Sequence, residues 1–364
     1  KGWEYKRLDE CANIEYGTRV VQKKDSGTLY PVYGGGGETF RMDKFNREDC
    51  LIVARFAMSR RCVRFVNGKF FLNDSGLSVK AGDKLYQSYL NYNIISLNDD
   101  IYHLGKGAAQ RNLDVKSFKK LTIAIPPQST QLAIVSELDK INELIRLKKE
   151  QLKDFDNLAQ SLFYEMFGDP VENEKGWDVK KLKDISREIG DGLHGTPEYS
   201  EVDTGCYFIN GNNLENGTIV IKENTKMVSE KTKAKHYIEM DDFTILVSIN
   251  GTLGKVAFYN GENVILGKSA CYIKLEAYND KKYIFELLKS DYFKRYAESE
   301  CTGTTIRNVS LKSMRNFRCP LPPLPLQRLF AQRIEQIERE KSEVQKSIQD
   351  LETLLASRMQ YWFE

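Results

Sequence analysis

The sequence predicts an α+β fold in which two β-rich domains are each followed by one long α-helix, and in which the two helices form an antiparallel coiled coil. Three observations support this fold class. The chain repeats itself, a double proline precedes each of two long segments with heptad spacing, and glycine and proline separate the first helix from the second half. A chain of 364 residues is long enough for two domains with separate cores.

The internal repeat is clearest at the beginning and end of each half. The opening run KGWEYKRL at Lys1 returns as KGWDVKKL at Lys175. Further along, the two copies align at a constant offset of 196 residues. The residues that carry this second alignment are Arg111-Asn112-Leu113 with Arg307-Asn308-Val309, Pro126-Pro127 with Pro322-Pro323, and Gln131 with Gln327. Two copies of one structural unit are therefore expected, with loops of different length in their front parts.

Each copy ends in a predicted helix whose apolar positions alternate in steps of four and three, the spacing of a heptad seam. Each helix has about 35 residues and would be roughly 50 Å long at 1.5 Å per residue. Helices of this length need a partner for their apolar stripe, and we expect each to pair with the other. The alternative is that each helix packs only on its own domain. The seam positions are Ile134, Leu138, Ile141, Ile145, Lys148, Leu152, Phe155, Ala159, Leu162 and Met166, and then Phe330, Ile334, Ile337, Lys341, Val344, Ile348, Leu351, Leu355, Arg358 and Trp362.

These patterns predict a four-part chain: a first domain at residues 1–128, its helix at 129–168, a second domain at 175–322 and its helix at 326–364. The first helix should end in the run from Met166 to Pro170, where Gly168 is the C-terminal stop. Short strands separated by glycine turns are expected in both domains. Examples are residues 50–55, 62–66, 244–249 and 255–259, with one helix in each domain near 84–92 and 281–296.

The distribution of charge predicts a polyanion as the partner, although the net charge is only +3. Residues 41–80 contain nine lysines and arginines against four acids, and residues 303–333 contain six basic residues and no acid. Local excess of this kind is typical of phosphate binding. No apolar run approaches the roughly 18 residues of a membrane span. Seven cysteines without a C-x-x-C pair fit reduced thiols, so we expect a cytoplasmic chain without membrane contact.

The motifs of common nucleic-acid enzymes do not occur. An amino-directed DNA methyltransferase needs an Asn/Asp-Pro-Pro-aromatic loop, whereas here the double prolines stand in IPPQ and LPPL. The glycines between Gly261 and Ser269 have the wrong spacing for a phosphate-binding loop and run into a predicted strand. His103, His194 and His236 have no metal-ligand spacing. The sequence therefore predicts neither a catalytic, a cofactor nor a metal site.

What remains are loops of the kind that contact DNA. Arginine suits bidentate contact with guanine and asparagine suits adenine, while glycines allow close approach of the backbone. Arg111 and Arg307 occupy one place in both copies, which suggests a shared role such as phosphate contact. For each residue alone, a surface or turn-forming role is about as well supported. The DNA-binding candidates are Tyr33, Gly35, Arg55, Arg60, Arg61 and Arg111 in the first copy, and Asn210, Asn212, Asn250, Thr252, Lys255 and Arg307 in the second.

The residues just quoted resemble the specificity subunit of type I restriction-modification systems over nearly the whole chain. Each copy opens like a target recognition domain, and the run ILVSINGTLGKV at Ile245 is similar to that family's strand-loop-strand. The run GTTIRNV at Gly303, followed by PLPPLPLQ at Pro320, looks like its approach to the long spacer helix. The first copy departs from the pattern: FAMSR at Phe56 replaces the glycine turn, and GAAQ at Gly107 replaces GTTI.

The resemblance implies a non-catalytic subunit that recognises a bipartite target in double-stranded DNA, one half-site per domain. It implies two modification subunits as partners, which hold S-adenosylmethionine and methylate adenine. Restriction subunits, which use ATP and Mg²⁺, join such a complex where restriction occurs. No cofactor is expected in this chain itself.

Two other functions remain as alternatives at this stage. A stand-alone DNA-modifying enzyme with built-in recognition domains would require a methyltransferase or nuclease motif. A structural scaffold would have no salt-sensitive affinity for DNA.

Overall fold

The computed structural model describes residues 2–107, 110–302 and 307–363. Its contacts divide the chain into two compact units. The first unit contains Lys1–Glu150 together with Gln345–Glu364, and the second contains Gln151–Val344. Each long helix therefore contributes to both units. The four-part division predicted from the sequence stays a prediction.

The first β-rich part follows the predicted pattern of short strands joined by turns. Its elements are β1 (Glu4–Arg7), α1 (Leu8–Cys11), β2 (Ala12–Tyr16), α2 (Gln22–Asp25), β3 (Tyr30–Gly34), β4 (Gly37–Met42), β5 (Arg47–Ala54), β6 (Val63–Leu72), β7 (Gly76–Ala81), α3 (Gln87–Ser96), α4 (Asn98–His103), β8 (Gly105–Lys106), β9 (Asn112–Leu113), α5 (Val115–Lys119) and β10 (Thr122–Ile125). The long helix α6 (Gln128–Phe167) comes next.

The main sheet of the first unit has six strands in the order β2-β7-β5-β6-β3-β4. All neighbours are antiparallel except β3 and β6. Strand β5 is central, and its residues from Leu51 to Ala54 are buried, as expected for a strand covered on both faces. Hydrogen bonds hold the turns that follow β3, β5 and β6 close together.

The second β-rich part repeats this plan with shorter strands. Its elements are β11 (Asp178–Lys181), a 3₁₀ turn (Leu182–Ile185), β12 (Ser186–Asp191), β13 (Tyr207–Ile209), a 3₁₀ turn (Gly211–Asn213), β14 (Leu214–Glu215), β15 (Thr218–Ile219), α7 (Glu230–His236), β16 (Thr244–Ser248), β17 (Val256–Phe258), β18 (Val264–Leu266), β19 (Ala270–Leu275), α8 (Lys281–Lys289), α9 (Asp291–Ser299), α10 (Leu311–Asn316) and β20 (Arg318–Leu321). The long helix α11 (Leu324–Phe363) follows.

The main sheet of the second unit is antiparallel, with the order β12-β19-β16-β17. Strand β16 is buried along its whole length, so it corresponds to β5 of the first unit. In both units the first strand pairs antiparallel with the last strand before the long helix: β1 with β10, and β11 with β20. The repeat seen in the sequence is therefore also a repeat of strand pairing.

The predicted elements are present, with small shifts at their ends. Both long helices begin directly after their double prolines, and α6 ends at Phe167 as expected. Gly168 has a φ of +75°, the left-handed conformation that glycine adopts at helix ends, and its amide donates to the Tyr164 carbonyl. The helix expected near residues 84–92 lies at Gln87–Ser96, and the one expected at 281–296 is divided into α8 and α9.

The repeated glutamines fasten each long helix to its own domain. Gln131, which is fully buried, accepts a hydrogen bond from the Tyr86 amide and donates to the carbonyls of Lys84 and Pro126. Gln327 accepts from the Asp280 amide and donates to the Pro322 carbonyl. Buried polar groups of this kind need their partners, so the glutamine recurs for a structural reason.

Within the first unit, the last turns of α11 pack beside the beginning of α6. The Arg358 guanidinium and the Trp362 indole both donate to the Glu137 carboxylate. This pairing lowers the pKa of Glu137. Lys149 and Glu352 form a further ion pair at 2.8 Å.

Within the second unit, the end of α6 packs beside the beginning of α11 through aromatic rings. The ring centres of Phe163 and Phe167 lie 5.7 and 5.1 Å from that of Phe330. Tyr283 stacks on Phe163 at 5.7 Å. Lys341 pairs with Asp156 at 2.5 Å in the same unit. Four predicted seam residues of α11 thus contact α6: Arg358 and Trp362 through the Glu137 carboxylate in the first unit, and Phe330 and Lys341 through rings and a carboxylate in the second.

Candidate nucleic-acid interface

The first unit gathers its candidate residues at one end of its sheet, which we call the first loop end. It consists of residues 33–37, 55–64, 73–75 and 105–107 with 110–112. The Ser75 hydroxyl accepts from the Gly35 amide, and the Ser75 carbonyl accepts from the Arg55 and Phe56 amides. The Met58 amide donates to the Arg111 carbonyl. Backbone hydrogen bonds therefore hold these loops in one arrangement.

Tyr33 and Gly35 have structural roles at this end. The Tyr33 ring meets Phe70 edge to face at 5.5 Å and packs on a small apolar cluster. A Cβ atom at Gly35 would lie 2.1 Å from the Phe56 carbonyl oxygen, so no other residue fits without a shift of the backbone. The exposed neighbour Gly36 has open space around it. Of this turn, only Gly36 presents a bare backbone to solvent.

Three arginines of the first loop end are engaged within the protein. Arg55 donates to the Asp74 carbonyl at 3.3 Å, and its guanidinium lies over the rings of Phe56 and Tyr16 at 4.4 and 5.1 Å. Arg111 donates to the Gly105 carbonyl and lies over the Tyr102 ring at 4.6 Å. Arg64 donates to the carbonyls of Arg61 and Gly35. Burial lowers the pKa of Arg64, and the neighbouring charge of Arg61 adds to this effect.

Arg60 and Arg61 differ from these three. Both are exposed, and in the described part of the chain neither side chain has a hydrogen bond or an ion pair. Their backbone is nevertheless fixed. The Asn98 amide donates to the Arg60 carbonyl at 2.9 Å, and Arg64 donates to the Arg61 carbonyl at 2.8 Å. These two arginines combine a positioned backbone with unengaged guanidinium groups.

The second unit has an equivalent loop cluster, the second loop end, made of residues 191–194, 210–213, 249–255, 267–269 and 307–309. The Gly211 amide donates to the Ser269 hydroxyl, and the Gly251 amide donates to the Arg307 carbonyl. The Lys268 amide donates to the Leu193 carbonyl. All six DNA-binding candidates of the second copy therefore lie in the second loop end.

Asn210 and Asn250 hold this cluster together. The Asn210 side-chain oxygen accepts from the Ser269 hydroxyl at 2.9 Å, while the backbone N–H of Asn210 donates to the Asn213 side-chain oxygen. The Asn250 side chain donates to the Lys268 carbonyl at 3.3 Å. Both side chains are half-buried, so their amide groups order the loops as well as facing the surface.

The other four candidates of the second copy vary in exposure. Asn212 and Thr252 are exposed, and their carbonyls accept from Lys222 and from the Ser248 hydroxyl. Lys255 lies 4.0 Å from Glu215, and Arg307 lies 3.6 Å from Glu298. Asn212 and Thr252 therefore have side chains free of partners among the described residues, whereas the two basic groups are paired.

Three residues that lie at or beside these loop ends are not indicated by the sequence patterns. Lys268 is exposed at the second loop end and has no side-chain partner in the ranges that the structure describes. It lies in the Gly-Lys-Ser run, whose spacing does not fit a phosphate-binding loop. Tyr16 is 47% exposed beneath Arg55. Asn98 acts on the arginines from 38 residues away in the sequence, and no local pattern indicates that contact.

Two parts of the resemblance cannot be placed. Residues 108 and 109 of the GAAQ run and residues 303–306 of the GTTI run lie outside the described residues. Among the residues that are described, no cluster of histidine, cysteine and acidic side chains could hold a metal ion. In the same part of the chain, no helix combines the length and apolarity needed to cross a membrane.

The chain is similar to known specificity subunits. It is 22% identical over 321 residues to the type I restriction enzyme MjaVIII specificity subunit of Methanocaldococcus jannaschii, covering 79% of this chain and 75% of that protein. It is 22% identical over 350 residues to a putative type I restriction enzyme specificity subunit of Haemophilus influenzae, covering 92% and 87%.

Solved structures share the fold. The type I restriction-modification S subunit from M. genitalium has a TM-score of 0.53 and 17% identity, with 98% of this chain and 95% of that chain covered. A chain from a structure of complex assembly and conformational transition in the type I restriction-modification system has a TM-score of 0.60 and 17% identity, with 100% and 98% covered.

The comparison with protein families covers most of the sequence. Residues 1–154 and 174–353 each match the type I restriction modification DNA specificity domain, so the repeat seen in the sequence is a repeat of this domain. The chain belongs to the family of type I restriction-modification DNA specificity proteins.

Proposed function

We propose that this chain recognises a bipartite target in double-stranded DNA, with each loop end contacting one half-site. One observation carries the proposal: equivalent ends of two repeated domains present different sets of side chains. The first offers the exposed guanidinium groups of Arg60 and Arg61, and the second offers the Asn212 amide and the Lys268 ammonium group. Different groups on equivalent frames suit two different sequences.

We propose further that the chain directs other subunits and performs no chemistry itself. In this proposal it binds two modification subunits, which hold S-adenosylmethionine, and restriction subunits, which would use ATP and Mg²⁺, join where they exist. Exposed leucines on the part of α6 that belongs to the first unit support a partner surface, because apolar patches are seldom left in water. They are Leu132, Leu144 and Leu147, each 46–47% exposed. The reaction would take place in the cytoplasm, where the DNA is.

We also propose that α6 and α11 pair along their length as an antiparallel coiled coil. The contacts within each unit support this, because residue numbers rise on one helix as they fall on the other. Glu137 pairs with Arg358 and Lys149 with Glu352 in the first unit, and Asp156 pairs with Lys341 in the second. Such a pair would set the gap between the half-sites.

The function is tested by mapping methylated adenines in host cells with and without this gene. We expect one bipartite motif to disappear with the gene and to return when it is restored. A methylation pattern that does not depend on the gene would contradict the proposal. The alternative of a stand-alone enzyme is tested with the purified chain, S-adenosylmethionine and duplex DNA: we expect no methyl transfer, and transfer without other subunits would favour the enzyme.

The spacing role is tested by inserting four helix-forming residues after Lys149. The insertion adds about 6 Å at 1.5 Å per residue and nearly completes a turn, so the apolar seam can re-form beyond a local stutter. At roughly 3.4 Å per base pair, the gap in the methylated motif should grow by one or two base pairs while both half-sites stay the same. An assembled complex that keeps its original gap would rule out this role of the helices.

A further inference from the structure

One side chain from outside the first loop end fixes the turn between β5 and β6. The Asn98 side-chain oxygen accepts from the backbone amides of Cys62 and Val63, both at 3.1 Å. Its side-chain nitrogen donates to the Arg60 carbonyl at 2.9 Å. Asn98 stands at the first position of α4, so this three-point contact ties the turn to a helix. The backbone of Arg60 and Arg61 is therefore positioned before any ligand arrives.

The guanidinium groups on this fixed backbone have nothing to bind within the described protein. The three other arginines of the first loop end donate to backbone carbonyls, whereas Arg60 and Arg61 point their donors to solvent. No carboxylate in the described ranges forms an ion pair with Arg61 or with its half-buried neighbour Arg64. The turn is thus a local concentration of uncompensated positive charge on an ordered frame.

We propose that Arg60 and Arg61 contact base edges in the first half-site, that they recognise guanine there, and that Asn98 is the residue that positions them. The proposal rests on the proposed function, because it names what the first loop end recognises. Arginine forms two parallel hydrogen bonds to the O6 and N7 atoms of guanine in the major groove, and no other base offers that pair of acceptors. A fork of this kind discriminates only when its backbone is held, and Asn98 supplies that restraint.

A phosphate contact is the competing role for the same two groups. A phosphate contact carries no sequence information, and lysine can replace arginine there as a point charge, so its effect should be alike on all duplexes. Lysine can also reach guanine, but it lacks the rigid planar fork and therefore discriminates less well between bases. Replacing arginine by lysine therefore separates the two roles, because it keeps the charge and removes the bidentate geometry.

The test uses the complete complex, reconstituted with the modification subunits of the same system, on duplexes in which each base pair of the motif is varied. In R60K and R61K we expect the preference for guanine over the other bases in one half-site to fall by roughly 5- to 150-fold for each lost contact. The dependence on salt should stay the same, because the number of charges is unchanged. R41K is the matched control: Arg41 is exposed in the same unit but belongs to β4, away from the turn.

The role of Asn98 is tested with N98D. Aspartate keeps an oxygen for the amides of Cys62 and Val63 but replaces the nitrogen that donates to the Arg60 carbonyl and to the Asp99 carboxylate with a second acceptor. We expect a modest fall in the melting temperature and a loss of base discrimination in the same half-site, while the other half-site stays near that of the parent protein. N67D is the control, since Asn67 is exposed elsewhere on the same strand as Val63 and gains the same charge. Equal losses in both half-sites would make Asn98 a purely structural residue and overturn its positioning role.

The outcomes separate this inference from the proposed function. If R60K and R61K keep full base preference, or if the half-site they affect contains no G·C pair, guanine recognition is wrong while the bipartite function stands. If the motif does not depend on the chain at all, the proposed function itself fails. A loss of guanine preference confined to one half-site supports both.

Discussion

The two ends of each β-rich part differ in how well the repeat is kept. At the helix end, where the long helix leaves the domain, most of the hydrogen bonds of one copy have a counterpart in the other. Gln131 and Gln327 make corresponding hydrogen bonds, and the hydroxyls of Tyr89 and Tyr283 donate to the carbonyls of Ala124 and Pro320, which are equivalent positions of β10 and β20. At the loop end, most equivalent positions of the two copies hold different side chains.

The difference follows from what each end must satisfy. At the helix end, buried polar groups demand partners, and a change leaves a donor or acceptor unpaired in the interior. At the loop end most side chains border solvent, so one copy can hold five arginines where the other holds amides, two lysines and Arg307. A frame kept constant while its contacts vary is what a protein needs to recognise two different half-sites.

The largest loss of stability should come from substituting a glycine at the first loop end. In Gly35→Ala, the new methyl group would lie 2.1 Å from the Phe56 carbonyl oxygen, which is backbone and cannot turn away. We expect a loss of about 3 kcal/mol in the free energy of unfolding, at the upper end for overpacking. Gly36→Ala is the control, because nothing lies within 4 Å of the added atom. Urea denaturation of the full chain measures both, and equal stabilities would mean that the two turns do not pack as described.

At the helix end, removing the repeated glutamines should destabilise both units. Gln131→Leu leaves the Tyr86 amide and two carbonyls without partners, and Gln327→Leu leaves the Asp280 amide and one carbonyl. We expect each substitution to lower the free energy of unfolding by about 2 kcal/mol, and somewhat more for Gln131 because it satisfies one more group. Urea denaturation of the two single variants provides the comparison. A neutral effect in one unit alone would show that the helix ends are less alike than their hydrogen bonds suggest.

The paired tyrosines allow a finer comparison of the two helix ends. Tyr89→Phe and Tyr283→Phe each remove one hydroxyl and leave the ring in place, so the loss should be about 1 kcal/mol and nearly equal. Burial raises the pKa of Tyr89 to about 12 and that of Tyr283 further still, as expected for enclosed hydroxyls. Thermal unfolding of both variants is the measurement. A difference of more than about 1 kcal/mol between them would contradict equal roles.

The smallest change in stability should come from a position where the two helix ends have different side chains. Tyr92 donates to Asp139 in the first unit, while the corresponding residue of α8 is Glu286, whose pKa is raised by burial. A glutamate with a raised pKa adds stability at pH values below its unfolded pKa, and this contribution is lost as the pH rises through the folded pKa. Glu286→Gln should therefore be slightly more stable than the parent protein at pH 7, and the gain should vanish near pH 4. A gain of the same size at both pH values would rule out the ionised carboxylate as its cause.

The sequence predicted the repeat, both long helices and the end of α6, because these depend on local signals: heptad spacing, double prolines and Gly168. It also found the loop ends through their arginines and asparagines. It could not tell which of those side chains are free. Arg55, Arg64 and Arg111 carry the same charge as Arg60, yet each donates to a backbone carbonyl of the protein. Tyr33 packs on Phe70, and Asn98 acts from another element. These contacts depend on how strands pair, which the composition of a loop does not reveal.

The central claim is that each loop end specifies its own half of one DNA target. It is tested most directly by the methylated motif of three strains: the parent, one with Arg60→Ala and Arg61→Ala, and one with Asn212→Ala and Lys268→Ala. We predict that the first pair of substitutions relaxes one half of the motif, that the second pair relaxes the other half, and that the gap between the halves is the same in all three. If both pairs change the same half, or if either changes both halves alike, the two loop ends do not recognise separate half-sites.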